Sequence, residues 1–72
     1  MGIGIEFNKQ EEMIRIIDLI NSNGASFKYN DNYLYIAYIT SLSICKNEDY
    51  KITINDLTFY IKSEDVDYLG VL

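Results

Sequence analysis

Two periods of hydrophobic and polar residues run along this chain, and together they divide it into elements. Ile3, Ile5 and Phe7 alternate with Gly4 and Glu6, the pattern of a half-buried strand. Met13, Ile16, Ile17 and Ile20 then recur at helical spacing and form one apolar face, with Ile14 at its edge. Asn8 precedes this helix and Glu11 follows three residues later, so Asn8 is expected to accept from early helix amides while Glu11 reaches back. Glu11 and Arg15, four apart, make a weakly favourable pair. Asn23-Gly24 ends the helix, because glycine suits a left-handed cap.

Two hairpins follow, and alternation fixes their registers. With Asp31-Asn32 as a turn, Asn30 opposes Tyr33, Tyr29 opposes Leu34, Lys28 opposes Tyr35 and Phe27 opposes Ile36. Ala25, Phe27, Tyr29, Leu34, Ile36 and Tyr38 then share an apolar face, and Tyr33 and Tyr35 lie on the other. With Asn55-Asp56 as the second turn, Ile54 opposes Leu57, Ile52 opposes Phe59 and Tyr50 opposes Ile61. The intervening "ITSLSIC" is either the continuation of a long bent strand or a short strand of its own. Beyond Lys62, Ser63 is placed to cap a short helix with Glu64 and Asp65 in its first turn, Val66 and Leu69 inward and Gly70 at its end. The apolar tail Val71-Leu72 is expected to pack or pair. The expected fold is α+β in the order β-α-β-β-β-β-α. It has a single antiparallel sheet, one main helix on one face and a short C-terminal helix, all in one domain, 1–72.

Size sharpens this picture. A domain of 72 residues buries only about 60% of its chain's surface and is marginal alone. Such domains often rely on a disulfide, a metal or a partner. Cys45 is the only cysteine, which excludes an internal disulfide, and there is no histidine, the commonest metal ligand and general base. A stabilising partner or self-association is therefore expected, with no metal and no cofactor.

The net charge of -5 disfavours direct binding to nucleic acid or to an anionic membrane, since both need Lys and Arg. A basic protein partner is allowed. No segment approaches the roughly 20 apolar residues of a membrane-spanning helix. The N-terminus shows no basic region followed by an apolar run. With a lone thiol, the expected location is cytoplasmic.

Catalytic signatures are missing. Cys45, Ser41 and Ser43 have no histidine to activate them, and Cys45 is read as a small buried residue. Gly2-Ile3-Gly4 lacks the third glycine of a phosphate loop. The acidic residues do not follow the spacing of a calcium loop. An enzyme is not expected.

Two surfaces remain. The second hairpin places Asp49 opposite Lys62, which brings Glu48 and Asp49 towards Glu64, Asp65 and Asp67. These carboxylates read either as a mimic of a phosphate track offered to a basic nucleic-acid-binding protein, or as a helix cap and a polar turn placed for solubility. Tyr33, Tyr35 and Tyr60 read either as anchors of an interface, including a homodimer, or as strand formers covering an open sheet face. Stacking on single strands would require a basic groove that six Lys and Arg do not provide.

The stretch "YKITINDLTFYIKSEDVDYLG", a hairpin followed by an acidic short helix ending in Tyr-Leu, resembles the HesB-type proteins related to A-type iron–sulfur carriers. The resemblance covers about a third of the chain and implies the fold alone. Those carriers share cysteine ligands, whereas Cys45 stands outside any Cys-Gly-Cys pattern, so iron binding is not implied. The functional expectation is a small acidic protein-binding module. One form is an inhibitor of the kind phages and mobile elements encode against nucleic-acid-binding host machinery such as CRISPR effectors. The alternatives are a homo-oligomeric or small-ligand module using the tyrosine face, and a cysteine-poor HesB-like protein.

Overall fold

The computed structural model describes residues 1–72. Its elements are β1 (Ile3–Phe7), α1 (Gln10–Asn21), β2 (Phe27–Asn30), β3 (Tyr33–Ile36), β4 (Ser41–Ile44), β5 (Tyr50–Ile54), β6 (Leu57–Ile61), a single 3-10 turn (Ser63–Asp65) and β7 (Val66–Val71). The fold is α+β and every strand pair is antiparallel, as the periodicities predict. The strands divide between two sheets rather than forming one: a four-stranded sheet in the order β2-β3-β1-β7 and a three-stranded sheet in the order β4-β5-β6.

The division has a local cause. Tyr38 adopts a left-handed φ of 61°, a conformation that breaks a strand. It turns its side chain outward, so Tyr38 is 76% exposed and leaves the apolar face assigned to it. Ile39 remains buried and its backbone exchanges bonds with Met1: its N–H donates to the Met1 carbonyl at 2.7 Å, and its carbonyl accepts from the N-terminal ammonium at 2.9 Å. Thr40 then donates both its N–H and its hydroxyl to the Thr53 carbonyl, which starts the second sheet. "ITSLSIC" thus yields a separate strand, β4.

Both hairpins take the predicted registers, from Asn30–Tyr33 to Phe27–Ile36 and from Ile54–Leu57 to Tyr50–Ile61. Asp31 and Asn55, the first residues of their turns, have φ of 53° and 54°. Asp and Asn tolerate that region better than other residues with side chains.

The predicted C-terminal helix is not a helix. Ser63–Asp65 make one 3-10 turn whose flanking residue, Lys62, forms no side-chain cap, and the chain continues as β7. A helix of seven residues holds few backbone bonds in water. As a strand, the same residues satisfy the second edge of β1, pairing Ile3 with Val71, Ile5 with Leu69 and Phe7 with Val66. A bulge between Glu6 and Phe7 leaves Asp67 without a partner in the ladder. The tail does pair: the Leu72 N–H donates to the Gly2 carbonyl at 2.9 Å.

One core joins the two sheets and the helix. Ile3, Ile5 and Phe7 from β1 and Met13, Ile16 and Ile20 from α1 meet Ile52, Ile54, Phe59 and Ile61 from the second sheet. The helix starts one residue later than expected, with Lys9 at the cap position and no side-chain cap. Arg15 pairs with Glu12, three residues back, instead of Glu11.

Candidate functional site

The link from β4 to β5 is a tight, self-bonded loop. Cys45 donates its N–H to the Asp49 carbonyl at 2.8 Å and accepts from the Glu48 N–H at 2.9 Å. Asn47 accepts the Asp49 N–H through its Oδ1 at 3.2 Å and donates through Nδ2 to Asp49 Oδ2 at 3.1 Å. Glu48, with φ of 69°, stands at the exposed tip. Because Tyr50 pairs with Ile61, the residues just outside the ladder, Asp49 and Lys62, come together. A cleft results, lined by Asn47, Glu48, Asp49, Lys62, Ser63 and Glu64, with no hydrophobic side chain in it. Three of the five predicted carboxylates therefore share one place, around one lysine.

The other two carboxylates serve the fold. Asp65 is only 5% exposed. Its Oδ1 accepts no well-aligned hydrogen bond from a neighbouring group and is met instead by the Lys9 ammonium at 3.0 Å. That contact, and the attraction of the carboxylate, hold the Lys9 pKa above its ordinary 10.5. Asp67, the bulged residue, accepts from Asn8 Nδ2 at 3.2 Å, while the same nitrogen donates to the Glu64 carbonyl at 2.9 Å. The Asn8 N–H donates to the Asp65 carbonyl at 3.1 Å. Asn8, expected as a helix cap, is thus the tie between the β1–α1 junction and the turn before β7. Lys9 was missed in the sequence, though it carries a signal: a cation at a helix N-terminus opposes the dipole and calls for an anion nearby.

The three tyrosines do not form one row. Tyr60 belongs to the three-stranded sheet, where it borders a second cleft with Glu12, Arg15, Asp49, Lys62 and Asp65. Arg15 donates to the Tyr60 carbonyl at 3.1 Å and to Glu12 Oε1. The hydrogen bond that Arg15 donates to the Glu12 carboxylate raises the Arg15 pKa against the opposing effect of desolvation. Tyr33 and Tyr35 lie on the outer face of the four-stranded sheet and are half-buried. Each lies across a glycine: a Cβ on Gly4 would collide with the Tyr33 hydroxyl, and one on Gly2 would come within 2.7 Å of the Tyr35 hydroxyl. Tyr68 lies across Gly70 in the same way, and Gly70 is paired with Gly4. The absence of side chains at these glycines makes room for the rings to lie flat.

Cys45 is half-buried. No three His, Cys, Asp or Glu side chains converge as a metal site would need. No helix is long and apolar enough to cross a membrane. Compared with protein-family models, with curated proteins and with solved structures, the chain finds no match in any of the three.

Proposed function

We propose that this protein is a small binding module whose acidic cleft docks on a basic surface of a nucleic-acid-binding protein, taking the place of its nucleic acid. The observation that carries this reading is the grouping of Glu48, Asp49 and Glu64 around one polar cleft, on a chain of net charge -5. Carboxylates held by a bonded loop on one side and a turn on the other offer a fixed negative track, which steers a basic partner and sets its register. Tyr60 flanks the same end and supplies a rigid aromatic contact. The reading is of binding and not of catalysis, because no histidine exists to activate Cys45 or the serines. In biological terms such a module acts as an inhibitor, in the manner of phage or mobile-element proteins that disable host machinery such as CRISPR effectors.

The test is retention of a nucleic-acid-binding protein from the source cell's lysate by the wild type, with DNA as competitor. Loss of retention in the double variant Glu48→Lys with Glu64→Lys, together with competition by DNA, is the expected result. Equal retention by wild type and variant overturns the reading.

A further inference from the structure

The molecule has four sheet edges, and only two of them are guarded. The β2 edge carries Lys28, and an edge lysine discourages pairing with another chain. On the β6 edge, Arg15 of α1 reaches across to donate to the Tyr60 carbonyl. Neither β4 nor β7 has a lysine, an arginine or a proline, and the single charge on them, Asp67, sits in the bulge and is tied to Asn8. These two bare edges face each other across an apolar groove lined by Leu42, Ser43, Ile44, Tyr50, Leu69 and Val71. Ile44 is 68% and Val71 59% exposed there, and Leu72, the residue after β7, is 67% exposed, although the core of so small a domain is short of apolar surface to bury.

We infer that the β4–β7 edge is covered by a second copy of this chain, with β7 pairing antiparallel to β7 of the other copy and the two grooves closed by each other's Ile44 and Val71. Charge selects this occupant. Two copies of a chain of net charge -5 repel each other least where neither brings carboxylates, and no residue of the groove is charged. A pairing centred on Leu69 sets Asp67 of one strand against Val71 of the other and keeps the two carboxylates apart. Area agrees. A standard interface takes about 800 Å² from each partner, under a fifth of the 4469 Å² exposed by one copy. Ile44, Tyr68, Val71 and Leu72 offer on the order of 100 Å² each, and the groove floor and the two strand edges supply the rest. The arrangement is isologous, so it closes at two copies and does not propagate.

Sedimentation velocity from about 10 µM to about 1 mM tests this on the wild type, Ile44→Lys, Val71→Lys and the control Ile14→Lys. All three substituted residues are about half exposed or more, so each variant is expected to fold, and circular dichroism checks that it does. The expected result is a wild-type dimer, a dissociation constant raised at least about tenfold by Ile44→Lys and by Val71→Lys, and no change in the control. Slower amide exchange along β7 at the higher concentration accompanies it. A wild type that stays monomeric at about 1 mM, or a dimer that both edge variants leave intact, overturns the inference.

Discussion

The Lys9 ammonium lies 3.0 Å from Asp65 Oδ1, and the two ends of this pair are unequal: the lysine side chain is about half exposed, while the carboxylate is buried. Removing the carboxylate leaves a lysine that water solvates freely. Removing the lysine leaves a buried anion with no partner, which is the costlier defect. Asp65→Asn is therefore expected to lower unfolding stability, and Lys9→Met to lower it further. Urea denaturation of the two variants checks the order.

The same pair sets a pH dependence at the alkaline end. The folded-state pKa of Lys9 is raised above 10.5, chiefly by its close contact with the Asp65 carboxylate. A raised value means that the folded state holds the proton more tightly, so this contribution is complete below 10.5 and disappears as pH rises through the folded value. The stability difference between wild type and Lys9→Met should stay constant from neutral pH to the lysine range and then shrink. A difference that shrinks on acidification from neutrality to about pH 6 would contradict the assignment.

Asn8 tests the tie between the start of the helix and the turn before β7. Its side chain bonds the Glu64 carbonyl and Asp67. Asn8→Ala is expected to cost about 1 to 2 kcal/mol, and Asn8→Ser less than that. If Asn8 acted as an ordinary helix cap, the loss would appear as fraying of α1. The bonds found here place it instead in faster amide exchange at Val66 and Asp67.

Gly4 and Tyr33 form a pair separable by a double-mutant cycle. Gly4→Ala displaces the Tyr33 ring from the sheet and is expected to cost about 1 to 2 kcal/mol. In a Tyr33→Ala background the same change should cost much less, because nothing remains to displace. Thermal unfolding of the four proteins measures the coupling.

For the proposed docking, exposed carboxylates that line the cleft are expected to behave differently from the buried one. Glu48→Lys and Glu64→Lys should each weaken binding to a basic partner, and more so at low salt. Asp65→Asn should leave affinity within about twofold, since Asp65 is buried against Lys9. Affinities measured at two ionic strengths show which carboxylates participate.

Much of this architecture was legible in the residues. The hairpin registers follow from alternation, because a slip by one residue would expose Ile52, Ile54, Phe59 and Ile61. The inward face of α1 follows from the spacing of Met13, Ile16 and Ile20. The break at Tyr38 was hidden, since tyrosine is an ordinary strand residue and its neighbours in sequence carry no signal for a left-handed φ. β7 was misread because acidic residues after a serine look like a helix start, while its true partner, β1, lies far off in sequence. The cleft was legible as far as the hairpin reached, through Asp49 and Lys62. Beyond it, the fate of Asp65 and Asp67 depended on Asn8 and Lys9, which no local pattern joins to them.

The pairing of β1 with β7 also bears on how the protein is made. β1 is made before β7, yet it sits inside the four-stranded sheet and has its second edge completed only by β7. Until Val71 is made, the edge of β1 that β7 pairs is open. Pairing β1 with β7 closes a long loop, a contact of the kind that slows folding. A ribosome stalled before β7 would carry a chain with an open apolar strand, a substrate for chaperones and proteases.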